Sequence, residues 1–256
     1  MALEAARAPA PRAAREITPG RWWWLEPALT VLSYTAFFAY ATWSVFSNTY
    51  VFADPYVSPF FSTWAGFGSF RIPVIGWLVP FLAVIPLGLR LTCYYYRKSY
   101  FRSFFWDPAG CAITERRRGR YTGERRLPWV LNNTHRYWIL LTLVVTFFLW
   151  VDVVRAFMFH GRFMIGLGSI VMLINVILLT LYAGTCHSLR YLTGGYVDCF
   201  SCVRAGKLRY RVAGLLNRLN PSHGAWAWYS MFSVALTDVY IRLVMSGIIH
   251  EPRWVF

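Results

Sequence analysis

The stretch CHSLRYLTGGYVDCFSC, residues 186–202, follows directly on a long apolar run and holds three of the chain's five cysteines and one of its five histidines. Cys93, Cys111, His135 and His223 stand at or near other junctions between apolar and basic sequence. Thiolate and imidazole together suit zinc or an iron–sulfur group. Two Cys with two His is the ligand set of a Rieske-type [2Fe–2S] centre, whose imidazoles raise its potential above that of an all-Cys cluster. Cys199-x-x-Cys202 alone carries little weight. The chemistry depends on several such residues converging on one face.

Convergence needs elements to carry it. The chain is 57% hydrophobic and only 14% charged, against about 25% charged residues in an ordinary soluble domain. Five apolar blocks are long enough to cross a bilayer as helices, at about 25–46, 72–96, 137–159, 163–187 and 225–249. Pro73, Pro80 and Pro86 should kink the second. The expected fold is all-α: an integral membrane five-helix bundle over 22–250, with a tail at 1–21 and another at 251–256. The first twenty residues hold no apolar core of a secretion signal.

Of the 26 Lys and Arg residues, only Arg71, Arg155, Arg162, Arg242 and Arg253 fall on one side of this arrangement. Positive residues collect in cytoplasmic loops, so the N-terminus is expected inside and the C-terminus outside, in a bacterial plasma membrane. This distribution accounts for the net charge of +15 without nucleic acid as a partner. The basic loops, 97–134 and 188–222, suit membrane lipid and the docking of soluble subunits. The aromatic outer loop, 47–71, should lie in the interface. No internal repeat is evident.

All five cysteines then lie on the cytoplasmic side, where disulfides are not expected. Cys93, His135, Cys186 and His223 come from four different helix ends and are the first candidates for ligands. His187, Cys199 and Cys202 are next, and Cys111 is last. Bis-His haem within the bilayer is poorly served. His135 to His160 and His223 to His250 would span about 37 and 40 Å as helix, beyond a core of about 30 Å. Asp152 with Arg155, and Asp238 with Arg242, have helical spacing in the outer halves of the third and fifth spans. They suggest one network joining those two helices, or a proton route beside a distal pocket. A quinone pocket near the cytoplasmic face would draw on Tyr94, Arg97, Trp106, Arg136 and Tyr137.

The segments LTCYYYRKSYFRSFFWDPAGC, NNTHRYWILL and CHSLRYLTGGYVDCFSC resemble those of actinobacterial succinate dehydrogenase anchors. These are the cytochrome-b-type membrane subunits of respiratory complex II. The resemblance covers Arg21 to Ile249. It implies a flavoprotein subunit and an iron–sulfur subunit as partners, succinate:quinone oxidoreductase activity in the assembly, and menaquinone or ubiquinone as acceptor. Haem-bearing relatives take one histidine from each of the first four helices, whereas the first two spans here carry none. A Cys/His-ligated [2Fe–2S] centre is therefore expected in place of haem b. A fumarate reductase-type anchor with haem b and a membrane protein with a structural zinc site are the alternatives.

Overall fold

The computed structural model describes residues 24–47, 52–61, 84–104 and 129–256, with Trp22, Arg125 and Leu127. The chain is mostly helical. Helix α1, Leu25–Ser47, is apolar apart from small hydroxyls and buries Tyr34, Phe37, Ser44 and Val45. The expected second span falls partly outside the described residues. Its described part is helical at 84–92 (α2), breaks at Cys93, and resumes as α3, Tyr94–Phe104. A 3₁₀ turn, Trp129–Thr134, leads into α4, His135–Ala156. Helix α5, Leu167–Gly184, packs against α4 and against the last long helix. The segment that follows is itself structured. It comprises α6, His187–Arg190, a π-turn, Tyr191–Gly195, and α7, Gly206–Leu219. A 3₁₀ turn, Asn220–Ser222, then opens α8, His223–Met245. Among the described residues, three helical stretches are long and apolar enough to cross a membrane: Leu25–Ser47, Val130–Ala156 and Leu167–Gly184.

The outer end departs from the sequence expectation. Strands β1, Phe52–Ala53, and β2, Tyr56–Val57, pair antiparallel. Residues 52–61 of the loop expected at the interface pack against the helices. Tyr56, Ser58 and Phe61 are almost wholly buried in the bundle. The fourth span does not begin as helix. Strand β4, Arg162–Gly166, pairs with β3, Met158–Phe159, through a two-residue turn. His160 and Gly161 in that turn have φ of 48° and 78°, the left-handed pair that a type I′ hairpin requires. The supposed C-terminal tail supplies β5, Arg253–Val255, on the other edge of β4. Strand pairing satisfies backbone groups where the helices stop.

Glu251 fastens this cap. Its Oε1 accepts the Tyr56 hydroxyl at 2.9 Å and the Gly168 N–H at 2.8 Å, and its Oε2 accepts the Tyr240 hydroxyl. A carboxylate at the first turn of α5 also meets the positive end of that helix. Gly168 is small for a reason: a Cβ there would stand 2.8 Å from the Tyr56 ring. Gly168→Ala is therefore expected to displace Tyr56 and to cost about 1–3 kcal/mol. A thermal melt of the solubilised protein indistinguishable from wild type would refute this.

The charged pair expected in the fifth span also engages the first helix and the β1–β2 hairpin. Arg242 Nε donates to Asp238 Oδ2 at 2.8 Å within α8. Asp238 also accepts the hydroxyls of Tyr40, Ser44 and Ser58. Arg242 reaches the Ser44 hydroxyl at 2.7 Å and carbonyl at 3.1 Å, and its guanidinium lies 4.9 Å from the Trp43 ring. The network thus ties α8 to α1 and to the buried hairpin. Asp152 stands 3.9 Å from Arg155 in its own helix, and Arg155 is half exposed.

Candidate metal centre

Cys93 and Cys186 occupy breaks between two helices. Cys93 separates α2 from α3, and Cys186 separates α5 from α6. His135 and His223 are the first residues of α4 and α8. All four sit at one end of the bundle and line one cavity of about 200 Å³, with Thr92, Asn132, His187 and Ser188 also in its wall.

The contacts cross between the two helical hairpins. His135 Nε2 lies 3.1 Å from Cys186 Sγ, while its Nδ1 lies 2.9 Å from Thr92 Oγ1. His223 Nε2 lies 3.9 Å from Cys93 Sγ, while its Nδ1 lies 2.8 Å from Thr185 Oγ1. Each threonine immediately precedes one of the cysteines. A partner on the second ring nitrogen fixes the orientation of a ligating imidazole.

This arrangement exposes a repeat that the sequence reading missed. Thr92-Cys93 is matched by Thr185-Cys186, and Asn132-Asn133-Thr134-His135 by Asn220-Pro221-Ser222-His223. A 3₁₀ turn precedes the histidine both times. The motif is too short to show as periodicity, and the intervening segments differ in length. The paired Thr-Cys dipeptide was the signal that would have disclosed Thr92 and Thr185.

The remaining candidates separate from this group. His187 stays beside it, its ring 6.1 Å from that of His223. Cys199 and Cys202 are joined to each other in a disulfide. That corrects the expectation of five reduced cysteines and removes these two as thiolate ligands in this state. Cys111 lies outside the described residues. Among the described residues, no three His, Cys, Asp or Glu side chains group to hold a single metal ion; the four ligand candidates stand in two pairs. Of the expected quinone contacts, Tyr94 borders the ligand cavity yet is 64% exposed, and Arg136 and Tyr137 face outward. The Arg97 side chain and Trp106 lie outside the described residues.

A second cavity, about 230 Å³, lies deeper among α1, α2, α4 and α5. Its walls are apolar, including Phe37, Val45, Leu87 and Leu149, with Thr42, Arg90, Thr142, Thr146 and Tyr182 as the polar exceptions. The buried Thr142 hydroxyl finds no hydrogen-bond partner among the described residues. The Tyr182 ring stacks on His223 at 5.2 Å, so the two cavities share a wall.

A family model described as actinobacterial succinate dehydrogenase subunit SdhC matches residues 25–247. A solved structure described as the Mycobacterium smegmatis Sdh1 complex in the apo form is similar, with a TM-score of 0.77 and 35% sequence identity. The match covers 96% of this chain and 98% of that one. A search of curated proteins found no match.

Proposed function

Because the chain belongs to the actinobacterial succinate dehydrogenase subunit SdhC family, and so to the membrane anchors of that oxidoreductase, we propose that it carries electrons from the soluble iron–sulfur subunit to membrane quinone through a centre held by Cys93, His135, Cys186 and His223. The flavoprotein and iron–sulfur subunits follow from the family. The carrying observation is the crosswise site: two thiols and two imidazoles on one cavity, each imidazole oriented by a threonine.

The donor chemistry fits a [2Fe–2S] group, which takes two protein ligands at each iron. When bound, such a group accepts and donates single electrons at a potential raised by its His ligands. Two Cys and two His match that group in number and kind, and each close pair here joins one Cys to one His. Thr92 and Thr185 hold the imidazoles with Nε2 toward the cavity. Leu89, Ile139 and Ala227, nearly devoid of exposure, belong to the core around this end of the bundle and help to exclude water.

The deeper cavity is the reading's quinone pocket. A quinone headgroup needs an apolar slot and donors to its carbonyl oxygens. The unpartnered Thr142 hydroxyl supplies one donor, and the shared Tyr182 wall keeps the path from the ligand cavity short. The expected topology completes the picture, with α8 as the last span and the basic segment around Arg116, Arg117 and Arg118, outside the described residues, facing the soluble subunits.

The test is a difference spectrum. Dithionite-reduced wild-type complex minus the complex carrying His135→Ala and His223→Ala should leave an electron paramagnetic resonance signal of mixed Cys/His type. Iron analysis should show two irons fewer in the variant. One zinc lost instead, with a flat difference spectrum, would establish the structural-zinc alternative and sink this reading.

A further inference from the structure

Arg90 is 6% exposed, in the interior of the bundle, one helical turn before Cys93. Its guanidinium donates to the Tyr96 hydroxyl, to the Ala227 carbonyl at 3.2 Å and to the Ser230 hydroxyl at 3.1 Å. Three aromatic rings surround it: Tyr182 at 4.8 Å, Tyr96 at 5.5 Å and Phe37 at 5.9 Å. Among the described residues, none of its partners is a carboxylate. Arginine stays protonated in any protein environment, so this is a fixed buried cation. Such a charge in an apolar bundle is costly unless paired. Neutral acceptors and aromatic faces offset part of that cost, but they leave the field of the charge uncancelled.

The location of that field is specific. Tyr182 touches both Arg90 and His223. Arg90 lines the deeper cavity and is three residues from a ligand candidate. It also breaks the internal repeat. Counting back three residues from each cysteine gives Arg90 in the first half and Ala183 in the second. The site is two-fold in its ligands and one-sided in its charge.

We propose that Arg90 is a positioning residue whose unpaired cation biases the redox centre toward its reduced form. This rests on the ligand reading above. One-electron reduction adds one negative charge to the site, and the electron arrives from the soluble iron–sulfur subunit. A fixed positive charge close by, in a medium of low dielectric, stabilises that added charge. Removing the cation should lower the reduced-to-oxidised ratio at a given ambient potential by about tenfold, which is 59 mV for a one-electron couple.

The measurement is a potentiometric titration of the purified, quinone-free complex, followed by the resonance signal. Arg90→Met should shift the midpoint negative by about that amount with the line shape unchanged. Arg90→Lys should hold it near wild type. Ser230→Asp is the second variant, in case Arg90→Met does not assemble. It keeps the guanidinium in place and supplies the carboxylate it lacks, and should lower the midpoint likewise. An unmoved midpoint in Ser230→Asp or Arg90→Met, with an intact signal, overturns the role and leaves Arg90 as packing. A wild-type complex with no mixed Cys/His signal overturns the ligand reading instead, and this proposal with it.

Discussion

Alanine at both His135 and His223 is expected to abolish succinate-dependent quinone reduction while an artificial acceptor still draws electrons from the soluble subunits. The loss should exceed about a hundredfold, because outer-shell partners of metal ligands alone cost 10–100-fold. The threonines provide that graded comparison. Valine at Thr92 and Thr185 keeps the shape and removes the hydrogen bonds to Nδ1, so quinone reduction should fall by about 10–100-fold. Retention of full quinone reduction in the double histidine variant would place electron transfer elsewhere. A double variant that also loses the artificial-acceptor activity would point to failed assembly, and metal analysis of the threonine variants would then decide the matter.

Asp238→Ala is expected to be the most damaging single change in stability. Asp238 is wholly buried and Arg242 nearly so. Truncating one partner of a buried pair takes the nearest counter-charge from the other and costs about 3–5 kcal/mol. For a chain of this size that corresponds to a drop of roughly 6–20 °C in the midpoint of thermal unfolding. Three hydroxyls, from Tyr40, Ser44 and Ser58, lose their acceptor at the same time. The double change Asp238→Ala with Arg242→Met removes both charges and should recover part of the loss. Equal melting of Asp238→Ala and wild type would show that the pair is solvated in the protein.

Much of the bundle was legible because long apolar helices write themselves as long apolar runs. Helices α1, α4, α5 and α8 begin and end within a few residues of the blocks read from composition. The four ligand candidates were legible as well, since thiols and imidazoles at the ends of apolar runs are uncommon and share one side. The outer cap was not. Residues 163–166 are as apolar as the helix they precede, and only the turn at His160–Gly161 and the return of the C-terminal strand make them β. The course of the Asp238 network was hidden for a similar reason. Helical spacing identifies which charges share a face, but the hydroxyl partners that α1 and the hairpin bring to Asp238 depend on tertiary packing. Arg90 falls near the C-terminal end of the second apolar block, 72–96. Its burial follows from the break at Cys93, which lets the chain turn inward and bring Tyr96 onto the guanidinium.

The crossed pairing of the two Thr-Cys and Asn-x-Ser/Thr-His motifs also bears on biogenesis. The first pair of motifs contributes Cys93 and His135, and the second contributes Cys186 and His223, but each thiol faces the imidazole of the other pair. A half-inserted chain presents one thiol and one imidazole with no counterpart for either. The ligand set closes only when the last helix, which begins at His223, has joined the bundle. On the proposed ligand reading the set is complete only once His223 meets Cys93, and a chain stalled before residue 223 would hold His135 beside Cys186 alone.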